Sequence, residues 1–186
     1  FSLYCKKLYP QARITAYEAD PSIADVLKKN ISVNSCNNVE AVNAAVWVEN
    51  GKVEFACEGA DSGLISSLVK EKKWPLRIVP CLRLKNILLK EKVDVLKLDI
   101  EGAERLVLED CRDVLDNVRI LFLDLHEFTS SRRNTEKVLN IIEQAGFIYA
   151  MEGLVSLPWR ASVSNSCGPF PGVALAWVVM VRAWRP

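Results

Sequence analysis

Two apolar runs constrain this chain more than any other feature. Val93 to Ile100 (VDVLKLDI) and Val118 to His126 (VRILFLDLH) are short, nearly continuous and rich in branched side chains. Such runs read as strands buried on both faces, the mark of a parallel sheet covered by helices. Helical patterns separate and follow them. Ala103 to Cys111 is a short helix after the Gly102 turn. Asn134 to Ala145 places Val138, Leu139, Ile141 and Ile142 inward and ends at Gly146. Strand, helix and strand in that order predict an α/β fold.

The first half repeats the rhythm. Phe1 to Tyr9 carries apolar residues at 1, 4, 5 and 8, a helical spacing stopped by Pro10. Arg13 to Glu18 reads as a strand. Pro21 opens a helix with Asp20 as its N-cap. Val39 to Val48 reads as one strand, and Asn50-Gly51 as a hairpin turn returning Lys52 to Cys57 antiparallel. Glu58 to Ser67 reads as a loop, Arg77 to Val79 as a short strand and Leu84 to Lys90 as a helix. Phe147 to Met151 and Gly172 to Arg182 are the last strands, joined by a Ser/Pro/Gly-rich loop over Ser156 to Pro171.

Composition supports a folded domain. The 186 residues are 50% hydrophobic and 25% charged, with net charge +1. That excludes disorder and argues against a nucleic-acid-binding module, which is usually strongly basic. No apolar run reaches the roughly 20 residues of a membrane span. The six cysteines form no CxxC pair and read as small buried side chains in a reducing cytoplasm.

Ligands of α/β sheets bind beyond the carboxyl ends of the strands. Here those ends are polar. They read Glu18-Ala19-Asp20, Asn43-Ala44-Ala45, Asp99-Ile100-Glu101-Gly102 and Asp124-Leu125-His126-Glu127, and the last holds the chain's only histidine. Acids there also cap helices, which accounts for Asp20 and suits Glu101. Glu18, after a strand, suits the two hydroxyls of a ribose.

The segment KLDIEGAE (Lys97 to Glu104) resembles the signature of the FkbM-type methyltransferases, class I enzymes that use S-adenosylmethionine. AYEADP, LKKNISVN, VEAVNAAVW with ENGKVEF, LDLHEF and EQAGF resemble further family segments in the same order. The resemblance implies a Rossmann-like three-layer α/β sandwich, mostly parallel, with a C-terminal antiparallel strand pair. It implies methyl transfer to a sugar or other hydroxylated small molecule. By resemblance, Glu18, Ala19 and Asp20 hold the cofactor ribose and its surroundings. Asn43 and Ala44 lie near the adenine. Asp99 lies nearest the sulfonium and the acceptor, flanked by Glu101 and Glu104. His126 is a candidate general base, with Asp99 or Glu101 as the alternative. A divalent metal on Asp99, Glu101 and His126 is a further alternative.

The family pattern departs in two places. Asp124 lies two positions before His126, where the family shows an acid before its histidine. The glycine-rich loop that follows the family's first strand has no counterpart, so residues 1–186 are read as a single, partial methyltransferase domain, truncated before Phe1 and lacking that strand and loop. Two other readings stay open: a degenerate, non-catalytic nucleotide-binding or interaction domain, and a nucleotide-dependent oxidoreductase.

Overall fold

The computed structural model describes residues 1–57, 63–68, 75–128, 134–156 and 175–185. Most of the loop over Ser156 to Pro171 falls outside them, as do Trp74, Trp159 and Cys167.

Helix α1 (Ser2–Leu8) leads into strand β1 (Ile14–Glu18) and helix α2 (Pro21–Val33). Asp20 caps α2 as expected. Its Oδ1 accepts the Ser22 amide at 2.8 Å and the Ser22 hydroxyl at 2.6 Å. Strand β2 (Val39–Asn43) lies parallel to β1, with Glu18 in register with Asn43.

The expected strand Val39 to Val48 is two strands. The Ala44 amide turns back to the Val42 carbonyl at 3.1 Å and leaves the ladder. After that break, β3 (Ala45–Trp47) joins a different sheet. This second sheet also contains β4 (Gly51–Ala56), β5 (Leu64–Ile65) and β6 (Leu76–Arg83), in the order β3-β6-β4-β5. The hairpin expected at Asn50-Gly51 therefore has the right direction and a different partner. Strand β4 runs antiparallel to β6, and β3 runs parallel to the opposite edge of β6. Asn50 binds β6 as well: its Oδ1 accepts the Arg83 amide at 2.9 Å. Strand β6 is longer than the expected Arg77 to Val79 and includes Pro80. Pairing with β3 starts only at Cys81, so Pro80, which lacks an N–H, lies where one edge is unpaired. Strand β5 falls within the expected Glu58 to Ser67 loop.

Helix α3 (Leu84–Leu88) leads to strand β7 (Val93–Leu98), helix α4 (Glu104–Asp110), strand β8 (Val118–Phe128), helix α5 (Asn134–Gln144), and strands β9 (Ile148–Ser156) and β10 (Leu175–Trp184). They form a third sheet in the order β7-β8-β10-β9. Strands β7 and β8 are parallel, while β10 is antiparallel to both β8 and β9, as the expected C-terminal pair requires.

Strand β7 is not buried on both faces. It pairs only with β8 among the described residues, so it is an edge, and Val95 is 43% exposed. The main core lies behind β8 and helices α4 and α5, where Leu108, Leu121, Ile142 and Val107 are wholly buried. A smaller core of Phe55, Ile65, Val79 and Cys81 sits under the second sheet, and Trp47 packs against both. Among the described residues, no helix is long and apolar enough to cross a membrane.

Candidate active site

Side chains at alternate strand positions share a face. Lys97 of β7 is in register with Phe122 of β8, so Lys97 and Asp99 face the same way as Phe122, Asp124 and His126. The result is an ordered set of charges. Lys97 Nζ donates to Asp99 Oδ2 at 2.7 Å and to Asp124 Oδ2 at 2.8 Å. Burial works against the Lys97 charge, but these carboxylates outweigh it and raise the ammonium's pKa. Asp124, two residues before the histidine, is therefore tied to the site through Lys97.

His126 is 7% exposed. Its Nδ1 donates to Glu104 Oε1 at 3.1 Å, and its Nε2 faces Glu101 Oε2 at 3.4 Å and Asp99 Oδ1 at 4.0 Å. Burial alone lowers an imidazole pKa. Here the hydrogen bond and charge of Glu104, then the charges of Glu101 and Asp99, reverse that and push it up to about 9. His126 is thus an imidazolium at neutral pH.

The turn between β7 and α4 is built for this arrangement. Glu101 has φ 53 and Gly102 φ 94, two left-handed residues in succession. Glu101 does not cap α4. The N-cap position is Ala103, without a side-chain hydrogen bond. Glu104 Oε1 instead accepts the Ile100 amide at 3.1 Å and the Gly102 amide at 3.2 Å.

Glu18 closes β1. Its Oε1 accepts the Asp20 amide at 2.8 Å. Burial raises the Glu18 pKa, the Asp20 amide hydrogen bond counters it, and the charges of Asp20 and Asp99 add to the rise. The ends of β1 and β7 thus lie within electrostatic reach of each other. Asn43 braces this corner: its Nδ2 donates to the Glu18 carbonyl at 2.8 Å and the Ala19 carbonyl at 3.1 Å. Its amide donors are therefore engaged with backbone. Ala44 is 5% exposed, and Ala19 is half-buried against the smaller core. Asp20 is turned inward to its helix. Burial raises its pKa, but the Ser22 hydroxyl and amide bonds carry it below the usual carboxylate value.

Asp99, Glu101 and His126 also bring ligand-type atoms within 4.8 Å of one another. In the structure these carboxylates are met by the chain's own cations. The Lys97 ammonium already holds Asp99, and the imidazole carries a proton.

The sequence pattern singled out Asp99, Glu101 and His126, and the structure brings them together. Glu18 stands at the neighbouring strand end. Lys97 and Glu104 also belong to KLDIEGAE, and the sequence alone assigns neither a contact at the site. The signal for Lys97 was its two-residue spacing from Asp99 on a strand. For Glu104 it was the lone acid opening a helix just after Gly102.

The profile of the Methyltransferase FkbM domain matches residues 1–149. The chain belongs to the FkbM methyltransferase family. Among curated relatives, it is 24% identical to "Methyltransferase 1" of Beauveria bassiana, over 82% of this chain and 69% of that protein. It is 29% identical to "Methyltransferase sdnD" of Sordaria araneosa, over 79% of this chain and 69% of that protein. Among solved structures, it resembles precorrin-6y C5,15-methyltransferase from Geobacter metallireducens GS-15, with TM-score 0.51 and 17% identity. That likeness covers 100% of this chain and 73% of the other, and it supports the fold alone. FkbM-family membership makes the chain a methyltransferase rather than an oxidoreductase. S-adenosylmethionine is the general methyl donor of the family.

Proposed function

We propose that this FkbM-family chain methylates a hydroxyl group of a small molecule, such as a sugar, using S-adenosylmethionine. The observation that carries this reading is the placement of Asp99. It is the more exposed carboxylate of an otherwise shielded charge cluster, with a side chain 43% exposed, at the end of β7 and within reach of Glu18. Glu18 would hold the cofactor ribose, with Asn43 bracing the strand end on which it sits through the Glu18 and Ala19 carbonyls. When bound, S-adenosylmethionine supplies a methyl group already activated on a sulfonium. The residues fit such a ligand: Glu18, Asp99, Glu101, Glu104 and Asp124 outnumber the cations Lys97 and His126 around one rim.

In this reading Asp99 accepts the proton of the acceptor hydroxyl. As the new carbon–oxygen bond forms, the oxygen gains positive charge and its proton becomes strongly acidic. A carboxylate is then base enough, and positioning supplies most of the rate. His126 fits less well as the base because it is buried and already protonated at neutral pH. It serves instead as the cation that holds Asp99 and Glu101 in place. The free thiols of Cys5, Cys36, Cys57, Cys81 and Cys111 suit a reducing cytoplasm.

The test is methyl transfer from isotope-labelled S-adenosylmethionine to a panel of hydroxylated, amino and thiol acceptors. Label should appear on oxygen, and Asp99→Asn should lower kcat by roughly 100-fold or more. Transfer to nitrogen only, or full activity in Asp99→Asn, refutes the reading.

A further inference from the structure

We propose that Glu104 is a positioning residue that links His126 to the turn carrying Asp99 and Glu101. The inference rests on the reading of Asp99 as the acceptor-facing group. A first-turn acid normally stays in solvent and favours the helix through its dipole. Glu104 does otherwise. It is 2% exposed, and its Oε1 looks back to the turn before the helix. That single oxygen collects the Ile100 amide, the Gly102 amide and His126 Nδ1 at 3.1–3.2 Å. The amides fix the left-handed pair Glu101–Gly102. The Nδ1 contact fixes the imidazole so that Nε2 faces Glu101 and Asp99. A buried carboxylate that orients a histidine through one nitrogen, leaving the other to act, is a recurrent device in active sites.

Among the described residues, charged groups from two elements face His126. Glu104 lies on α4, and Asp99 and Glu101 lie on the turn after β7. Lys97 and Asp124 stand one step behind, through Asp99. Across the ladder, β10 places Val178 opposite His126.

Glu104→Gln separates the charge from the hydrogen bonds. The Gln oxygen can still accept the Ile100 and Gly102 amides. The same oxygen can also accept Nδ1–H, so the contact is kept while the negative charge that raises the imidazole pKa is lost. The turn survives while the histidine holds its proton less tightly. The chain has one histidine, so its ring resonances report this without ambiguity. Two measurements on the Gln variant test the proposal. The His126 titration should fall from about 9 toward the ordinary 6.5 or below. With saturating S-adenosylmethionine, kcat should drop roughly 10–100-fold while the KM for cofactor stays within a few-fold.

An unchanged titration overturns the contact. A shifted titration with wild-type kcat overturns the positioning role. A loss seen equally in cofactor KM and kcat points to general disorder of the fold and also overturns it. Asp99→Asn, assayed beside it, tests the functional reading separately: full activity there removes that reading whatever Glu104→Gln does.

Discussion

His126 gives stability a definite dependence on pH. Its pKa is pushed from 6.5 in an ordinary setting to about 9 in the folded protein. The folded state therefore binds this proton more tightly than the unfolded chain. The stabilisation is present in full below 6.5 and is lost as pH rises through about 9. The shift corresponds to roughly 3 kcal/mol in total, declining at about 1.4 kcal/mol per pH unit within that window. The perturbation is His126→Asn, which removes the only imidazole. The assay is urea unfolding of both proteins at several values between about pH 6 and about pH 10, followed by tryptophan fluorescence. Tyrosines, lysines and thiols also titrate toward the alkaline end, but they are common to both proteins. The difference between wild type and variant isolates the histidine. It should be largest near about pH 6 and shrink by roughly 3 kcal/mol toward about pH 10. A difference that stays constant across this range refutes the charged-histidine reasoning.

Two further outcomes follow from the same site. Gly102→Ala places a side chain at φ 94 and should cost roughly 1–3 kcal/mol in thermal or urea unfolding, with a larger loss of kcat because the turn carries Asp99 and Glu101. An unchanged midpoint argues against strain at this residue. Chelation of divalent ions should leave turnover unchanged, because Lys97 and the imidazolium already serve the carboxylates. Activity lost with EDTA and restored by magnesium refutes that account.

The local elements were legible in the sequence because their signals are local. Asp20 before Pro21 announced α2, and the Val138 to Ile142 stripe announced α5. Partner choice was not legible. Asn50-Gly51 sets a reversal of direction, but nothing nearby says that β6, from about thirty residues later, enters between the two arms. The break at Ala44 was hidden for a similar reason: an apolar run through Val39 to Val48 looks the same whether it feeds one sheet or two. The apolar composition of β7 reads as full burial, yet Val95 is half-exposed, since burial depends on what lies across the edge and not on the residue. At the site, Asp99, Glu101 and His126 were visible as strand-end polar residues. Asn43 was visible too, but as a ligand neighbour. Its backbone contacts to Glu18 and Ala19 depend on the β1–β2 register, which only the fold supplies.

The direction of the pH effect also separates the two roles open to His126. A histidine that removes the acceptor's proton must be neutral, so activity would climb with pH and level off above about 9. A histidine that holds carboxylates in place must be charged, so activity would be flat near neutrality and fall through the same value. The two profiles are opposite in sign over one window, and no fitted parameter converts one into the other. The geometry favours the second, because the ring is buried and its nitrogens face Glu104, Glu101 and Asp99. Removing the Glu104 charge sharpens the contrast. It should move the falling limb to lower pH if the imidazolium organises the site, and it should move the rising limb to lower pH, making the enzyme more active near neutrality, if the imidazole is the base.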